Sequence, residues 1–143
     1  MPRSWPKRIA LVLLAAFFTF AGVTHFTNPE FFIAIVPAWL PNPPLMVAAS
    51  GVAEILGGIG LLIPQTRRLA GWGLIALLVA VYPVNVDMAL HPDKWLAQGM
   101  TKAQLWGRLP FQFLFLAWTW WATKPDPAPT AEAAAWREAS RAA

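Results

Sequence analysis

Long apolar runs alternate along this chain with short polar and proline-rich breaks. Four runs are 18 to 22 residues long, which at helical rise approaches the hydrocarbon thickness of a bilayer, about 30 Å. They predict helices over residues 9–26, 45–63, 69–90 and 102–123. Short connections make consecutive helices antiparallel. The pattern therefore predicts an all-α integral membrane protein, a four-helix antiparallel bundle over residues 1–123.

The breaks after the first and third runs carry signals for short helices. Asn28 and Pro29 have the form of an N-cap followed by proline at the first helical position. The apolar segment 31–36 after them is too short to span, so it lies at the membrane surface or folds over the bundle mouth. The second break, 91–100, ends in a capping box at Thr101. We expect short interfacial helices in both outer loops.

The basic residues predict the orientation. A cytoplasmic N-terminus leaves eight Lys and Arg residues inside and three outside, as the positive-inside rule requires. The inner set is Arg3, Lys7, Arg8, Arg67, Arg68, Lys124, Arg137 and Arg141, and the outer set is Lys94, Lys102 and Arg108. We therefore predict a multi-pass protein of a bacterial-type inner membrane, with both termini cytoplasmic and residues 124–143 forming a mobile cytoplasmic tail.

Composition agrees with a membrane protein and excludes several kinds of chemistry. Charged residues make up 13% of the chain and hydrophobic residues 57%, whereas soluble domains carry about 25% charged residues. The chain has no cysteine, which excludes disulfides, thiol redox chemistry and thiolate metal sites. The net charge of +4 resides at helix ends, so it does not indicate nucleic-acid binding. A signal peptide is the alternative for 9–26, but the run is long and no clean cleavage site follows it.

The most informative stretch is 50–58, SGVAEILGG, because it carries a carboxylate in the middle of an apolar run. A charge at this depth is costly unless it meets a partner or water. Ser50 and Gly58 lie four residues on either side of Glu54 and share its helix face. Small residues let a neighbouring helix approach closely. The stretch predicts a helix packed inside a bundle, with Glu54 pointing inward.

In the predicted orientation, polar side chains from all four helices lie towards the outer side of the membrane. They predict a pocket that opens outward and is closed towards the cytoplasm. The candidate ligand-pocket residues are His25, Ser50, Glu54, Tyr82, Asn85, Arg108 and Gln112. The two histidines of the chain are far apart and no cysteine accompanies them, so no metal site is expected.

Structural roles compete with ligand binding at each position. Since either charge alone would be costly, we predict that Glu54 and Arg108 pair, with Asp87 as the competing partner of Arg108. The pair would be compatible with either a structural or a functional site.

Other members of the set have structural alternatives as well. Asn85 and Gln112 are candidates for hydrogen bonds between helices. Tyr82 could bond a carbonyl that Pro83 leaves without its helical donor. His25 ends the first helix, where a solvated or capping role is the alternative to a ligand contact.

Five segments together resemble the DoxX and DoxX-like membrane proteins. They are HFTNPEF at 25–31, VPAWLP at 36–41, SGVAEILGG at 50–58, PVNVDMA at 83–89 and RLPFQ at 108–112. The resemblance covers the chain from the first to the fourth predicted helix and implies a four-helix membrane bundle. The positions that carry the family pattern are His25, Glu54, Asn85, Arg108 and Gln112.

The resemblance also implies a functional context. DoxX-like proteins are linked to thiosulfate:quinone oxidoreductase subunits, to membrane oxidoreductase assemblies in oxidative-stress defence and to methylamine-utilisation accessory proteins. The wider fold resembles thiol oxidoreductases such as vitamin K epoxide reductase, but a chain without cysteine cannot perform dithiol chemistry. We therefore expect an accessory subunit that binds a quinone-like or lipid-like molecule in the outward pocket.

The expected partners are the lipid bilayer and a membrane oxidoreductase subunit, and the small-residue faces permit a homodimer. No cofactor is certain, and a quinone is the candidate. Whether the protein is an enzyme stays open, with no independent activity favoured. The alternatives are an intramembrane acid–base enzyme using Glu54 or His25, a structural scaffold, and, less favoured, a proton-coupled transporter.

Overall fold

The computed structural model describes residues 4–126 together with residues 130, 131, 135, 136, 139 and 140. Six helices follow one another: α1 Trp5–Thr27, α2 Pro29–Ile35, α3 Pro43–Leu62, α4 Arg67–Leu90, α5 Asp93–Ala97 and α6 Lys102–Thr123. No strand occurs among the described residues, which confirms the all-α prediction. The four long helices begin and end within four residues of the predicted bounds.

Three of the helices that the structure describes are long and apolar enough to cross a membrane. These are α1, α3 and α4, whose most apolar segments have mean hydropathies of 2.1, 1.9 and 1.9. The helix α6 is as long as these, but its polar side chains and tryptophans lower its hydropathy. The residues responsible are Lys102, Gln104, Trp106, Arg108, Gln112, Trp118, Trp120 and Trp121. The chain thus has the helices of a membrane protein, as composition predicts.

Local signals explain where the helices begin. The side chain of Asn42, in the left-handed region at φ 46°, accepts a hydrogen bond from the Leu45 backbone N–H and starts α3. The capping box predicted at Thr101 is confirmed, since Thr101 and Gln104 bond each other's backbone N–H groups. The cap predicted at Asn28 is wrong: its side chain makes no capping bond, and Pro29 alone marks the start of α2.

The closest packing in the molecule joins α1 and α3. A Cβ added at Gly22 would lie 2.6 Å from the carbonyl oxygen of Gly51, and one added at Gly58 would lie 2.8 Å from that of Ala15. The end of α1 therefore faces the start of α3, so the two helices run in opposite directions. Their backbones approach too closely for larger residues, as the small-residue stretch 50–58 predicts.

The remaining long helices pack through larger side chains. A buried apolar cluster, made of residues from α1, α3, α4 and α6, fills one end of the helices: Leu11, Leu14, Ala15, Phe18, Leu61, Leu74 and Ala122. Met88, Trp95 and Leu105 form a second cluster near α5 at the other end. The outer faces of the long helices expose large apolar side chains such as Phe20, Leu56 and Val79, as expected for a surface in contact with lipid.

The region expected to be a mobile tail begins with two anchored residues. Lys7 is buried in the first turns of α1 and donates hydrogen bonds to the Lys124 carbonyl and to the Asp126 carboxylate, the latter at 2.9 Å. The sequence did not predict this contact, because it joins residues at opposite ends of the chain. Most of the remaining predicted tail, including 127–129 and 141–143, lies outside the described residues.

Candidate functional site

A cavity of about 580 Å³ lies where α1 and α4 end and where α3 begins. We call this the cavity end of the helices, and the opposite end, where α1 and α4 begin, the basic end. Most of the lining side chains are apolar and come from α2, the 36–40 loop, α3 and α4. Five polar residues complete the wall: His25, Ser50, Glu54, Asn85 and Arg108. The buried cluster around Phe18 and Leu74 fills the interior towards the basic end.

The imidazole of His25 is held in a defined tautomer. Its Nδ1 lies 2.9 Å from the carbonyl oxygen of Ala21, one turn earlier in α1. A carbonyl oxygen only accepts hydrogen bonds, so Nδ1 carries a proton, and Nε2 accepts in the neutral ring and donates in the protonated ring. The ring stacks on Phe32 of α2 with centroids 3.8 Å apart. His25 is therefore a buried, oriented side chain rather than a solvated residue at a helix end.

Glu54 lies opposite His25 across the α1–α3 contact. Its Oε2 is 3.5 Å from His25 Nδ1, and its side chain is 15% exposed. The distance is long for a hydrogen bond, and Nδ1 already donates to Ala21, so the contact is electrostatic. Among the described residues, no donor bonds Oε2, although this atom is buried. A buried carboxylate oxygen without a donor is costly, and a ligand or water in the cavity could supply one.

A chain of hydrogen bonds joins α4 to α6 beside the cavity. Arg108 donates from Nε to Oδ1 of Asn85 at 3.1 Å, and Nδ2 of Asn85 donates to Oε1 of Gln112 at 2.8 Å. Nε2 of Gln112 then donates to the carbonyl of Leu78, in the turn before Pro83. Each amide is used as both donor and acceptor, which fixes its orientation. Asn85 and Gln112 thus provide the hydrogen bonds between helices that were the structural alternative for them.

The predicted ion pair between Glu54 and Arg108 is wrong. Within the described residues, the ionisable side chain near Glu54 is His25, whose Nδ1 lies 3.5 Å from Oε2, and Arg108 bonds Asn85 instead. Asp87, the competing candidate for pairing with Arg108, has its Oδ1 atom 3.1 Å from Nδ1 of His91. Glu54 lies in the helix that packs most closely on α1, whereas Arg108 belongs to α6, which packs on α4. Sequence spacing gives helix faces but not the order of helices around the bundle, so it could not identify the partner.

The seven predicted pocket residues do not all reach the cavity. Tyr82 does not line the cavity and instead packs edge-to-face on Phe113, with ring centroids 5.4 Å apart. Gln112 is 6% exposed and holds α6 to α4 behind the cavity wall. Conversely, sequence reasoning missed Phe32 as the residue that packs on His25. The sequence signal for this contact is the short apolar segment 31–36, which is predicted to lie at the membrane surface or to fold over the bundle mouth. In the structure it lies over the cavity.

The described residues contain no group of three or more His, Cys, Asp or Glu side chains that could hold a metal ion. The chemistry available at the cavity is therefore that of one imidazole, one carboxylate, one guanidinium, an amide and a hydroxyl.

A family model described as a domain of unknown function, DUF8561, matches residues 14–123. The chain belongs to the DUF8561 family. The DUF8561 region runs from the middle of α1 to the last residue of α6 and includes every residue that lines the cavity. No curated protein and no solved structure matches the chain. The DUF8561 match does not test the resemblance to DoxX proteins, which stays a prediction.

Proposed function

We propose that the protein is a DoxX-type membrane bundle that binds a small amphipathic molecule, quinone-like or lipid-like, in the cavity. The observation that carries this proposal is the buried Oε2 of Glu54, which lacks a donor among the described residues and borders a mainly apolar space of about 580 Å³. Ligand sites have this character: a concave apolar wall of several hundred Å³ with a few polar groups that fix orientation.

The polar groups favour a ligand with both a donor and an acceptor. Glu54 Oε2 can accept from a hydroxyl, and the guanidinium of Arg108, which gives one N–H to Asn85, can donate to a carbonyl or hydroxyl oxygen. Apolar side chains such as Leu77, Val81 and Met46 would contact a ring or an alkyl chain. A quinol head with its chain fits this division, since its hydroxyls both donate and accept, whereas a quinone head has carbonyl oxygens that, of these two groups, could accept only from Arg108.

In this proposal α6 crosses the membrane with α1, α3 and α4, giving a four-helix antiparallel bundle with both termini in the cytoplasm. Its support is the pairing of α6 with α4 and the exposed apolar residues Phe111, Phe113 and Leu114 on its outer face. The positive-inside rule supports the orientation, with Arg67, Arg68 and Lys124 on the cytoplasmic side. The cavity then faces the outer leaflet of a bacterial-type inner membrane.

The proposed role is that of an accessory component of a membrane oxidoreductase system. The chain has no thiol, so it would bind or deliver the quinone-like molecule rather than exchange disulfides with it. The resemblance to DoxX proteins supports this context.

One contact favours a second candidate, an intramembrane acid–base enzyme. His25 Nδ1 and Glu54 Oε2 are 3.5 Å apart at the cavity wall, and such a pair can move a proton to or from a bound substrate. A substrate whose turnover requires both His25 and Glu54 would distinguish this candidate from simple binding.

The binding proposal can be tested by filling the cavity with a larger side chain and measuring ligand affinity. Ala53 lines it, so Ala53→Phe should reduce binding of a short-chain ubiquinone to the purified protein, measured by calorimetry in detergent, by at least tenfold. Ala117→Phe adds the same ring on an exposed position of α6 outside the lining and is the matched control. Equal quinone affinity in both variants and the unchanged protein would reject the cavity as the site, as would the absence of any quinone or lipid in native mass spectra.

A further inference from the structure

A second cavity, of about 300 Å³, lies at the basic end of the helices, where α1 and α4 begin and α6 ends. Four of its lining residues are cationic and one is a carboxylate: Lys7, Arg67, Arg68, Lys124 and Asp126. It is separate from the first cavity, since no residue lines both. None of these side chains lines the proposed quinone-like site, although Arg67, Arg68 and Lys124 support the proposed orientation.

Three of the four cations are held in place by the protein. Lys7 is buried and donates to Asp126 at 2.9 Å. Arg67 donates from Nε to the Leu61 carbonyl at 2.9 Å and so closes the end of α3. The Lys124 ammonium lies 4.7 Å from the ring centroid of Trp120. Four of the five charged lining side chains are cationic and one, Asp126, is anionic, so the lining residues themselves carry an excess of positive charge.

Arg68 differs from the others because its side chain is exposed at the cavity and makes no ion pair or hydrogen bond with any residue that the structure describes. Its guanidinium can form a fork of two hydrogen bonds to a phosphate. It lies in the first turn of α4, where no side chain caps the helix and the backbone N–H groups add positive potential. The cavity therefore combines an unpaired guanidinium with a fixed positive environment.

We infer that this cavity binds the phosphate of an anionic phospholipid from the surrounding leaflet. Exposed apolar side chains next to it, Leu69 and Trp72 on α4 and Trp120 on α6, would contact the acyl chains and the interface. Basic pockets between helices on the cytoplasmic side are suited to anionic headgroups. The inference concerns a different ligand and a different end of the molecule from the proposed quinone-like site, so either can fail without the other.

The experiment is native mass spectrometry of the full, delipidated chain in detergent with added dioleoyl phosphatidylglycerol or dioleoyl phosphatidylcholine. We expect the phosphatidylglycerol to bind at least about fivefold more tightly, and Arg68→Gln to remove about fivefold of that affinity, the effect of one cation at a membrane surface. Lys124→Gln should cause a loss of similar size and gives a second variant if Arg68→Gln does not fold. Lys102→Gln removes one exposed charge at the cavity end and is the matched control.

Each alternative result overturns the inference. Equal affinity for the two lipids would mean that the cavity does not select a negative headgroup. Equal losses in Arg68→Gln and Lys102→Gln would mean that phosphatidylglycerol responds to overall charge and not to this site. Inorganic phosphate that displaces phosphatidylglycerol at the same concentration would make free phosphate, and not a lipid, the ligand.

Discussion

The contact between Gly22 and Gly51 allows a quantitative test of how the helix packing supports the cavity. In Gly22→Ala, the new Cβ would lie 2.6 Å from the Gly51 carbonyl oxygen and 2.9 Å from the Ile55 backbone nitrogen. Ordinary contact begins near 3.4 Å, so α1 and α3 must separate by up to about 0.8 Å. A third atom, Cγ1 of the Ile55 side chain, would lie 2.7 Å away, but the other two belong to the backbone, which cannot rotate away. Overpacking of this kind costs about 1 to 3 kcal/mol in the free energy of unfolding.

The assay is reversible unfolding in mixed micelles with increasing sodium dodecyl sulfate, followed by circular dichroism. Gly73→Ala is the matched control, because a Cβ there meets nothing within 4 Å. Alanine favours the helix over glycine by up to about 1 kcal/mol, so the control should be neutral or slightly more stable. Since His25 lies one turn after Gly22 on α1, the separation should also weaken the His25–Glu54 contact. Equal unfolding midpoints for the two variants would refute the close-packing argument.

Three further predictions concern other contacts. Gln112→Leu removes the hydrogen bonds to Asn85 and to the Leu78 carbonyl and should lower the free energy of unfolding by about 1 to 2 kcal/mol in the same titration. An unchanged unfolding midpoint would mean that these hydrogen bonds add nothing to stability. Lys7→Met removes the donor to Asp126 and should speed amide hydrogen exchange at Lys124 and Asp126 without changing exchange in the middle of α1. Unchanged rates would count against anchoring. Because the chain has no cysteine, single cysteines introduced as Ser4→Cys and Thr101→Cys can report its orientation in the membrane. In intact cells a membrane-impermeant maleimide should label only Thr101→Cys, and labelling of Ser4→Cys alone would mean that the orientation is the opposite of the one proposed.

The features that the sequence predicted correctly are those set by residues close together along the chain. Run lengths located the long helices, and the capping box at Thr101 located the start of α6, because these signals depend on residues a few positions apart. The small residues of 50–58 predicted a close helix contact, and the structure provides one between Gly51 and Gly22.

Contacts between distant segments could not be obtained in the same way. The partner of Glu54 depends on which helix faces it. Both His25 and Arg108 are predicted to lie towards the outer side of the bundle, so the sequence could not choose between them. The anchoring of Asp126 by Lys7 joins residues 119 positions apart, for which no periodic pattern exists. The stacking of Phe32 on His25 depends on the fold of α2 over the cavity, one of two locations that the sequence allowed.

The polar residues near the cavity separate into two groups by whether their hydrogen bonds are complete. Polar residues that only fix helix packing are expected to be paired within the protein, because each unpaired buried group costs free energy. The amides of Asn85 and Gln112 meet this expectation, since each both donates and accepts a hydrogen bond. Glu54 does not, since no donor among the described residues bonds its buried Oε2. A scaffold role therefore suits the first group, and a ligand role suits Glu54.

This separation predicts opposite effects for two conservative substitutions. Glu54→Gln replaces a carboxyl group whose buried Oε2 lacks a donor, so the free energy of unfolding should stay the same or rise. Affinity for a short-chain ubiquinol should fall, because the amide oxygen accepts a hydrogen bond from the quinol hydroxyl more weakly than a carboxylate does. Asn85→Ala interrupts the paired chain and should lower the free energy of unfolding by about 1 to 2 kcal/mol. Both quantities can be measured on the same preparations. If Glu54→Gln destabilised the protein as much as Asn85→Ala and left ubiquinol affinity unchanged, Glu54 would belong with the structural residues and the ligand proposal would lose its main support.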